Sequence, residues 1–343
     1  MRRKVSVTLL IVALLTDAVM ASGCGAGAGL KSEAHPVELY LAPTVDASVI
    51  AESGKAMASF LEQRTGYKFE VQVPDTYSAT IQGLGAAEGH GMAVLPAMGY
   101  VLAAERYGAQ AALAAVRYGW GYFWSQYLVR CDKGLTSLAD LEGKHWAYPD
   151  TSSASGYLVP ASYFKKAGIN PGDEVVAGGH PQAIVAVYEG QVDFATTFYS
   201  PPGEPGDWKI GDPPQPAGEP TVEHEGDAYK AYAGGLRLRD ARTSLLARYP
   251  DVIDKVCILA ISDPIPNEVV AFSKGFPAQA REKIVQALID YAATEEGQKV
   301  LANDAFYDIT GFVPVDDSSF GPVREMIHGL GLTEQDIVES SAW

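Results

Sequence analysis

Apolar positions along the chain switch between two spacings. Val37-Glu38-Leu39-Tyr40-Leu41 alternates, which predicts a strand, and Ala42-Pro43-Thr44 after it predicts a turn. From Ala47 to Thr65 the apolar residues recur at helical spacing, and the run stops at Gly66, a residue suited to end a helix. Phe69 to Val73 alternates again, Tyr77 to Ala86 reads as a helix, and Met92 to Leu95 as a short buried strand. A β-α-β-α-β opening of this kind predicts a parallel sheet covered by helices.

The aromatic-rich stretch from Tyr122 to Arg130 predicts a further strand, after which the rhythm restarts. Helices are expected at 138–141, 155–167 and 180–189, and strands at 145–148, 174–176 and 192–196. Residues 200–220 are rich in proline and glycine with little periodicity, so a long surface loop is expected there, with Trp208 as a packing anchor in preference to a ligand contact. A strand returns at 255–262, a second crossing strand follows at 269–272, and 278–293 is a strongly amphipathic helix. The organisation that follows is a second α/β unit inserted into the first. Lobe 1 is expected at 36–125 plus 265–343, lobe 2 at 126–264, and a ligand cleft between them that closes by a hinge motion.

The N-terminus changes the picture by assigning a compartment. Arg2, Arg3 and Lys4 precede the apolar run Val5 to Leu15, which is too short to anchor in a membrane. Ala21-Ser22-Gly23-Cys24 then resembles the lipobox of bacterial lipoproteins, with Ala where Leu is usual. Residues 1–24 are therefore expected to be a signal peptide, Cys24 the lipidated residue, and the Gly/Ala-rich 25–35 a flexible tether. An ordinary secretory signal with an incidental Cys is the alternative. Cys131 and Cys257 are compatible with a disulfide in an exported protein and equally with two buried thiols.

With 343 residues, 47% hydrophobic and 20% charged, the chain has the composition of a globular protein with room for two domains. A net charge of −16 excludes a nucleic-acid partner, because such affinity rests on Lys and Arg. It also means that an anionic ligand must be held by local donors against a repulsive field. The segment Tyr148-Pro149-Asp150-Thr151-Ser152-Ser153-Ala154-Ser155-Gly156-Tyr157-Leu158-Val159-Pro160 offers such donors. A strand runs into a hydroxyl-rich turn that opens a helix, where unpaired N–H groups and a partial positive charge favour an oxyanion. The competing reading is that Ser153 or Ser155 simply caps the helix.

Here the chain resembles the phosphate/phosphite/phosphonate substrate-binding proteins of ABC importers. Their Ser-Thr-Ser-Gly, aromatic, Leu-Val-Pro run is similar to Ser153 to Pro160. Asp75 to Leu84, Gly179-His180 with Gly190-Gln191-Val192-Asp193, Asp263 to Glu268 and Thr310 to Val315 resemble further family segments in the same order. The resemblance covers roughly residues 36–328 and implies an α/β, two-lobed periplasmic-binding-protein clamshell of type II. It implies ligand contacts from Tyr77, Ser153, Ser155, Gly156, Tyr157, His180 and Glu268. The expected partners are a small phosphorus oxyanion or phosphonate, an ABC permease and ATPase, and the membrane through the lipid; the protein is expected to act as a monomer without a cofactor or metal.

The departures bear on the ligand. Ala154 replaces a Thr, Ser200 stands where a carboxylate meets an aminoalkyl group, Glu268 is longer than the usual Asp, and Leu95 replaces an aromatic. His180 is expected either to donate to the oxyanion, making binding pH-sensitive, or to cap its helix or pack on Tyr148. The alternatives are a sensor module for a membrane receptor and a binder of another anion such as a sulfonate. An enzyme ranks behind both. The chain has no G-x-S-x-G elbow and no Walker A run, and its histidines lack metal-ligand spacing.

Overall fold

The computed structural model describes residues 30, 35–42, 47–225, 228–302, 309–333 and 335–336. The expected signal peptide and the lipidation site Cys24 lie outside the described residues. Within the expected tether, Leu30 is an exception. It is buried in the core, and its carbonyl accepts from the Lys68 N–H at 2.8 Å, so the chain is already docked there.

The opening unit is present as β1 (Val37–Leu41), α1 (Ala47–Thr65), β2 (Phe69–Gln72), α2 (Tyr77–Ala86) and β3 (Gly91–Leu95), followed by α3 (Ala97–Tyr107) and β4 (Gln110–Val116). The next strand, β5 (Tyr122–Arg130), belongs to a second sheet with β6 (Trp146–Tyr148), β7 (Glu174–Val176) and β8 (Phe194–Tyr199); α4 (Val159–Ala167) and α5 (His180–Tyr188) lie between them. A small antiparallel sheet follows, of β9 (Thr221–Glu225), β10 (Ala228–Ala233) and β11 (Leu236–Arg237). The chain returns through α6 (Val252–Lys255), β12 (Val256–Ile261), β13 (Ile265–Pro266) and β14 (Val269–Phe272). It ends in α7 (Ala278–Ala292), α8 (Glu295–Leu301), β15 (Gly311–Pro314) and α9 (Gly321–Leu330).

The first sheet has the order β15-β4-β14-β3-β1-β2, and the second β12-β5-β8-β6-β7. Parallel pairing in the first joins only β1, β2 and β3; β14 enters antiparallel between β3 and β4. The sheet is therefore mixed rather than parallel, because the chain comes back from the second sheet running the other way. Both faces are buried, as alternation within β3 requires: Met92 and Val94 join the core under α1 and α7, whereas Ala93 and Leu95 join the one under α3 and α9. Each sheet is the centre of one lobe of a two-lobed α/β fold.

Two crossings connect the lobes. The first is a tight turn between β4 and β5, closed by reciprocal 2.9 Å bonds between Arg117 and Trp120. Tyr118 and Gly119 at its centre have φ of 51° and 80°, the left-handed pair that a two-residue hairpin demands. Tyr118 is the one described non-glycine residue held at positive φ. The second crossing pairs β13 with the start of β5. Asn267 binds the two together: its side-chain amide donates to the carbonyls of Ala115 and Trp120, each at 2.9 Å.

Cys131 and Cys257 form a disulfide, closing the end of β5 onto β12. The loop at 200–220 is anchored as expected. Trp208 is buried among Trp120, Trp124 and Tyr199, and its indole N–H donates to the Pro213 carbonyl at 3.0 Å.

Candidate functional site

The hydroxyl-rich turn after β6 does not open as an ordinary α-helix. Residues Ala154–Leu158 form one π-helical turn that runs into α4. The Ser153 carbonyl accepts from both Tyr157 N–H (2.9 Å) and Leu158 N–H (3.0 Å). Pro160 explains the local irregularity. It has no N–H to give to the Gly156 carbonyl four residues back, and the Thr196 hydroxyl from β8 donates to that carbonyl instead. Gly156 is required by space, since a Cβ there would sit 2.5 Å from Pro149 Cδ and 2.7 Å from Ser153 Oγ. π-turns of this kind are often kept at functional sites.

The two serines divide their roles. Ser153 is the cap, accepting from the Gly156 N–H at 3.0 Å. Ser155 is only 4% exposed, and its hydroxyl has no hydrogen-bond partner among the described residues. The hydroxyl itself is not sealed off within the protein, so it is available as a donor to whatever enters the cavity. Gly156 and Tyr157, expected to offer amides to an anion, do not offer them: both N–H groups are taken up by Ser153. The open amides are those of Ala154 and Ser155, at the very start of the turn. The Tyr157 ring stacks on Trp146 at 5.3 Å and 11°, inside the aromatic core of lobe 2.

Ser153, Ala154 and Ser155 line a cavity of about 390 Å³ between the lobes. Lobe 2 adds His180, Phe198, Ser200 and Pro201; lobe 1 adds Pro96, Ala97 and Met98 at the start of α3 and Val323 and Met326 from α9. The two crossings supply the rest: Arg117, Tyr118 and Trp120 from the first, and Asn267 and Glu268 from the second. Tyr122 and Phe123 enter from the start of β5. Four residues expected at the site, Ser153, Ser155, His180 and Glu268, thus meet in one space. Tyr77 does not line it. It opens α2, buried, with its phenol held protonated by burial and by the nearby Glu268 carboxylate.

His180 departs from expectation in its chemistry. Burial pushes the imidazole down to about 4, and Asp150 offsets this only in part, so the ring is neutral at physiological pH. Its Nδ1 is buried without a partner, and the ring packs edge-on against Phe198 at 5.0 Å rather than on Tyr148. A pH-sensitive switch near neutrality is therefore not built into this histidine. The Trp120 indole N–H is likewise buried without a partner at the cavity wall.

The pattern of two α/β lobes, two crossings and an interlobe cavity at a serine-rich helix start can be set beside known proteins. The model of the ABC transporter phosphonate periplasmic substrate-binding protein family matches residues 39–320. The chain belongs to that family. Family members are periplasmic substrate-binding proteins, which places this one outside the cytoplasm. The phosphonates-binding periplasmic protein of Escherichia coli (strain K12) is 25% identical over 233 residues, 62% of this chain and 55% of that protein, so the chain spans little more than half the length of that relative. A Xanthomonas citri protein solved bound to chloride ion shares the fold with a TM-score of 0.56, at 18% identity over 86% of this chain and 98% of that one. The same protein solved bound to ATP gives 0.55, at 18% identity over 86% and 97%. Likeness at that identity concerns the fold. No described helix is long and apolar enough to cross a membrane.

Against this phosphonate-family background the position of Arg117 stands out, and sequence reasoning passed over it. Its guanidinium meets Glu268 at two points, Nη1 to Oε2 at 2.8 Å and Nη2 to Oε1 at 3.0 Å. Among the described lining residues Arg117 is the only Lys or Arg and Glu268 the only carboxylate. The available signal was a lone Arg beside Tyr-Gly-Trp between two alternating runs, a pattern that marks a hairpin turn but not what the turn faces.

Proposed function

We infer that the protein binds a small phosphorus oxyanion or phosphonate in the interlobe cavity and presents it to an ABC permease and its ATPase. The observation that carries this reading is Ser155: a largely buried residue lining the cavity, whose hydroxyl has no protein partner and stands beside two open amides. A tetrahedral oxyanion accepts several such donors at once, and a helix start favours its charge. The neutral His180 can donate one more bond without bringing a charge. Family membership and the phosphonates-binding Escherichia coli relative support the same ligand class. The basic, apolar and small-residue order of residues 1–24 supports export as a lipoprotein anchored through Cys24.

A thermal-shift panel of phosphate, phosphite, methylphosphonate, sulfate and a sulfonate tests the ligand class. A ligand at a hundred times its Kd adds about 2.7 kcal/mol, which moves the transition by several degrees. If no phosphorus compound shifts it, the reading fails. Lipid labelling of the full chain expressed in a bacterium should be lost in Cys24→Ala; equal labelling of the variant would refute the anchor.

A further inference from the structure

We propose that the ligand carries an uncharged, apolar substituent on its phosphorus oxyanion, and that Arg117 is the specificity-determining residue that excludes cationic substituents. This rests on the phosphorus-oxyanion reading above and narrows it. The cavity is larger than a bare oxyanion needs: about 390 Å³ lies in the range of roughly 300–1,000 Å³ typical of sites that enclose organic ligands. Beyond the donor turn the walls are aromatic and thioether, formed by Met98, Trp120, Tyr122, Phe123, Phe198 and Met326.

The anionic partner for a cationic tail would have to be Glu268, the only carboxylate among the described lining residues. The Arg117 guanidinium donates to Oε1 at 3.0 Å and lies 2.8 Å from Oε2 as an ion pair, although Oε2 accepts no hydrogen bond, and the Glu268 side chain is only 11% exposed. The guanidinium already neutralises that carboxylate at close range, so an incoming ammonium gains little net attraction from it. It would also lie beside the guanidinium, where like charges repel in a weakly screened site. The partner that a charged tail would look for is thus supplied from within the chain. Ser200, also on the wall, is neutral and offers no second carboxylate.

The test is titration calorimetry of the full chain in mild detergent at pH 8. It compares n-propylphosphonate with 2-aminoethylphosphonate, which share a skeleton and differ in a terminal methyl or ammonium group. Wild-type protein should bind the propyl compound at least tenfold tighter. Arg117→Met leaves Glu268 unmatched and should move the ratio of the two affinities at least tenfold towards the amine. Equal or tighter binding of the amine by wild type overturns the proposal while leaving the oxyanion reading intact. An unmoved ratio in a folded Arg117→Met protein removes Arg117 from the explanation and overturns it too. If neither compound, nor methylphosphonate, phosphite or phosphate binds, the oxyanion reading itself fails and this inference falls with it. The wild-type comparison decides even if the variant does not fold.

Discussion

Ser153 and Ser155 are two residues apart, and the structure assigns them opposite energetics that a pair of alanine variants can separate. The Ser153 hydroxyl accepts from the Gly156 N–H, so Ser153→Ala removes a helix cap and should cost about 0.5–2 kcal/mol of stability. The Ser155 hydroxyl has no protein partner in the ligand-free fold, so Ser155→Ala should leave stability within about 0.5 kcal/mol of wild type. With ligand bound, the order reverses. A hydroxyl donating to an oxyanion makes a charge-assisted bond of roughly 1.5–3 kcal/mol, so Ser155→Ala should weaken binding about ten- to a hundredfold. The assay is denaturant unfolding of the ligand-free proteins together with calorimetric Kd values for the strongest ligand of the thermal-shift panel. Ser152→Ala is the control. Its hydroxyl is engaged with the Asp150 carboxylate outside the cavity, and affinity should change by less than about threefold. Wild-type affinity in Ser155→Ala, or a stability loss equal to that of Ser153→Ala, would refute the division of roles and move the anion away from this turn.

His180 gives a pH signature in stability. In the fold the imidazole titrates at about 4, against an ordinary value of 6.5, so between those values the unfolded chain binds the extra proton. Its contribution is complete above pH 6.5 and falls as the pH drops through the window, reaching a loss of about 3 kcal/mol below pH 4. His180→Gln should flatten that part of the stability curve relative to wild type, and an identical slope in the two proteins would refute the burial argument. The Cys131–Cys257 bridge spans 126 residues of sequence. Replacing both cysteines by serine should lower unfolding stability by about 2–5 kcal/mol in denaturant titrations, and a loss below about 0.5 kcal/mol would show that the bridge restrains little.

The legible parts of the fold were those where one face of an element decides its fate. The alternation in Val37 to Leu41 and the helical spacing of Ala47 to Thr65 survive unchanged because each buries one side against the same core. The stretch from Ala97 to Val116 was not read, because α3 is buried along most of its length and β4 is largely alanine; neither shows a period. The sheet of β9 to β11 escaped notice for the opposite reason: β9 reads Thr-Val-Glu-His-Glu and is exposed where described. At the site, the hydroxyl motif was visible because its donors are consecutive in sequence. Arg117 and Glu268 were not paired in advance, since 151 residues separate them and only the two crossings bring them together.

The acidity of the chain and the anionic nature of the proposed ligand are reconciled by how the cavity is furnished. A free Lys or Arg in the cleft would bind any passing anion, chloride and sulfate included, because a point charge discriminates poorly among them. In this cleft the one guanidinium is matched by Glu268, the histidine is neutral, and the open donors are oriented dipoles: two amides, a serine hydroxyl and an indole N–H. Such donors reward an acceptor only where its oxygens fall in the right directions, so shape rather than charge selects the ligand. Their strength also depends on excluding water, which the aromatic wall favours. Trp120 and Arg117 stand in the hinge turn itself, and Asn267 and Glu268 in the second crossing. A ligand touching them therefore acts directly on the segments that connect the lobes. In this geometry recognition and the connection between the lobes share residues, and a ligand that fits the donors without filling the apolar wall would leave the contacts to the crossings unmade.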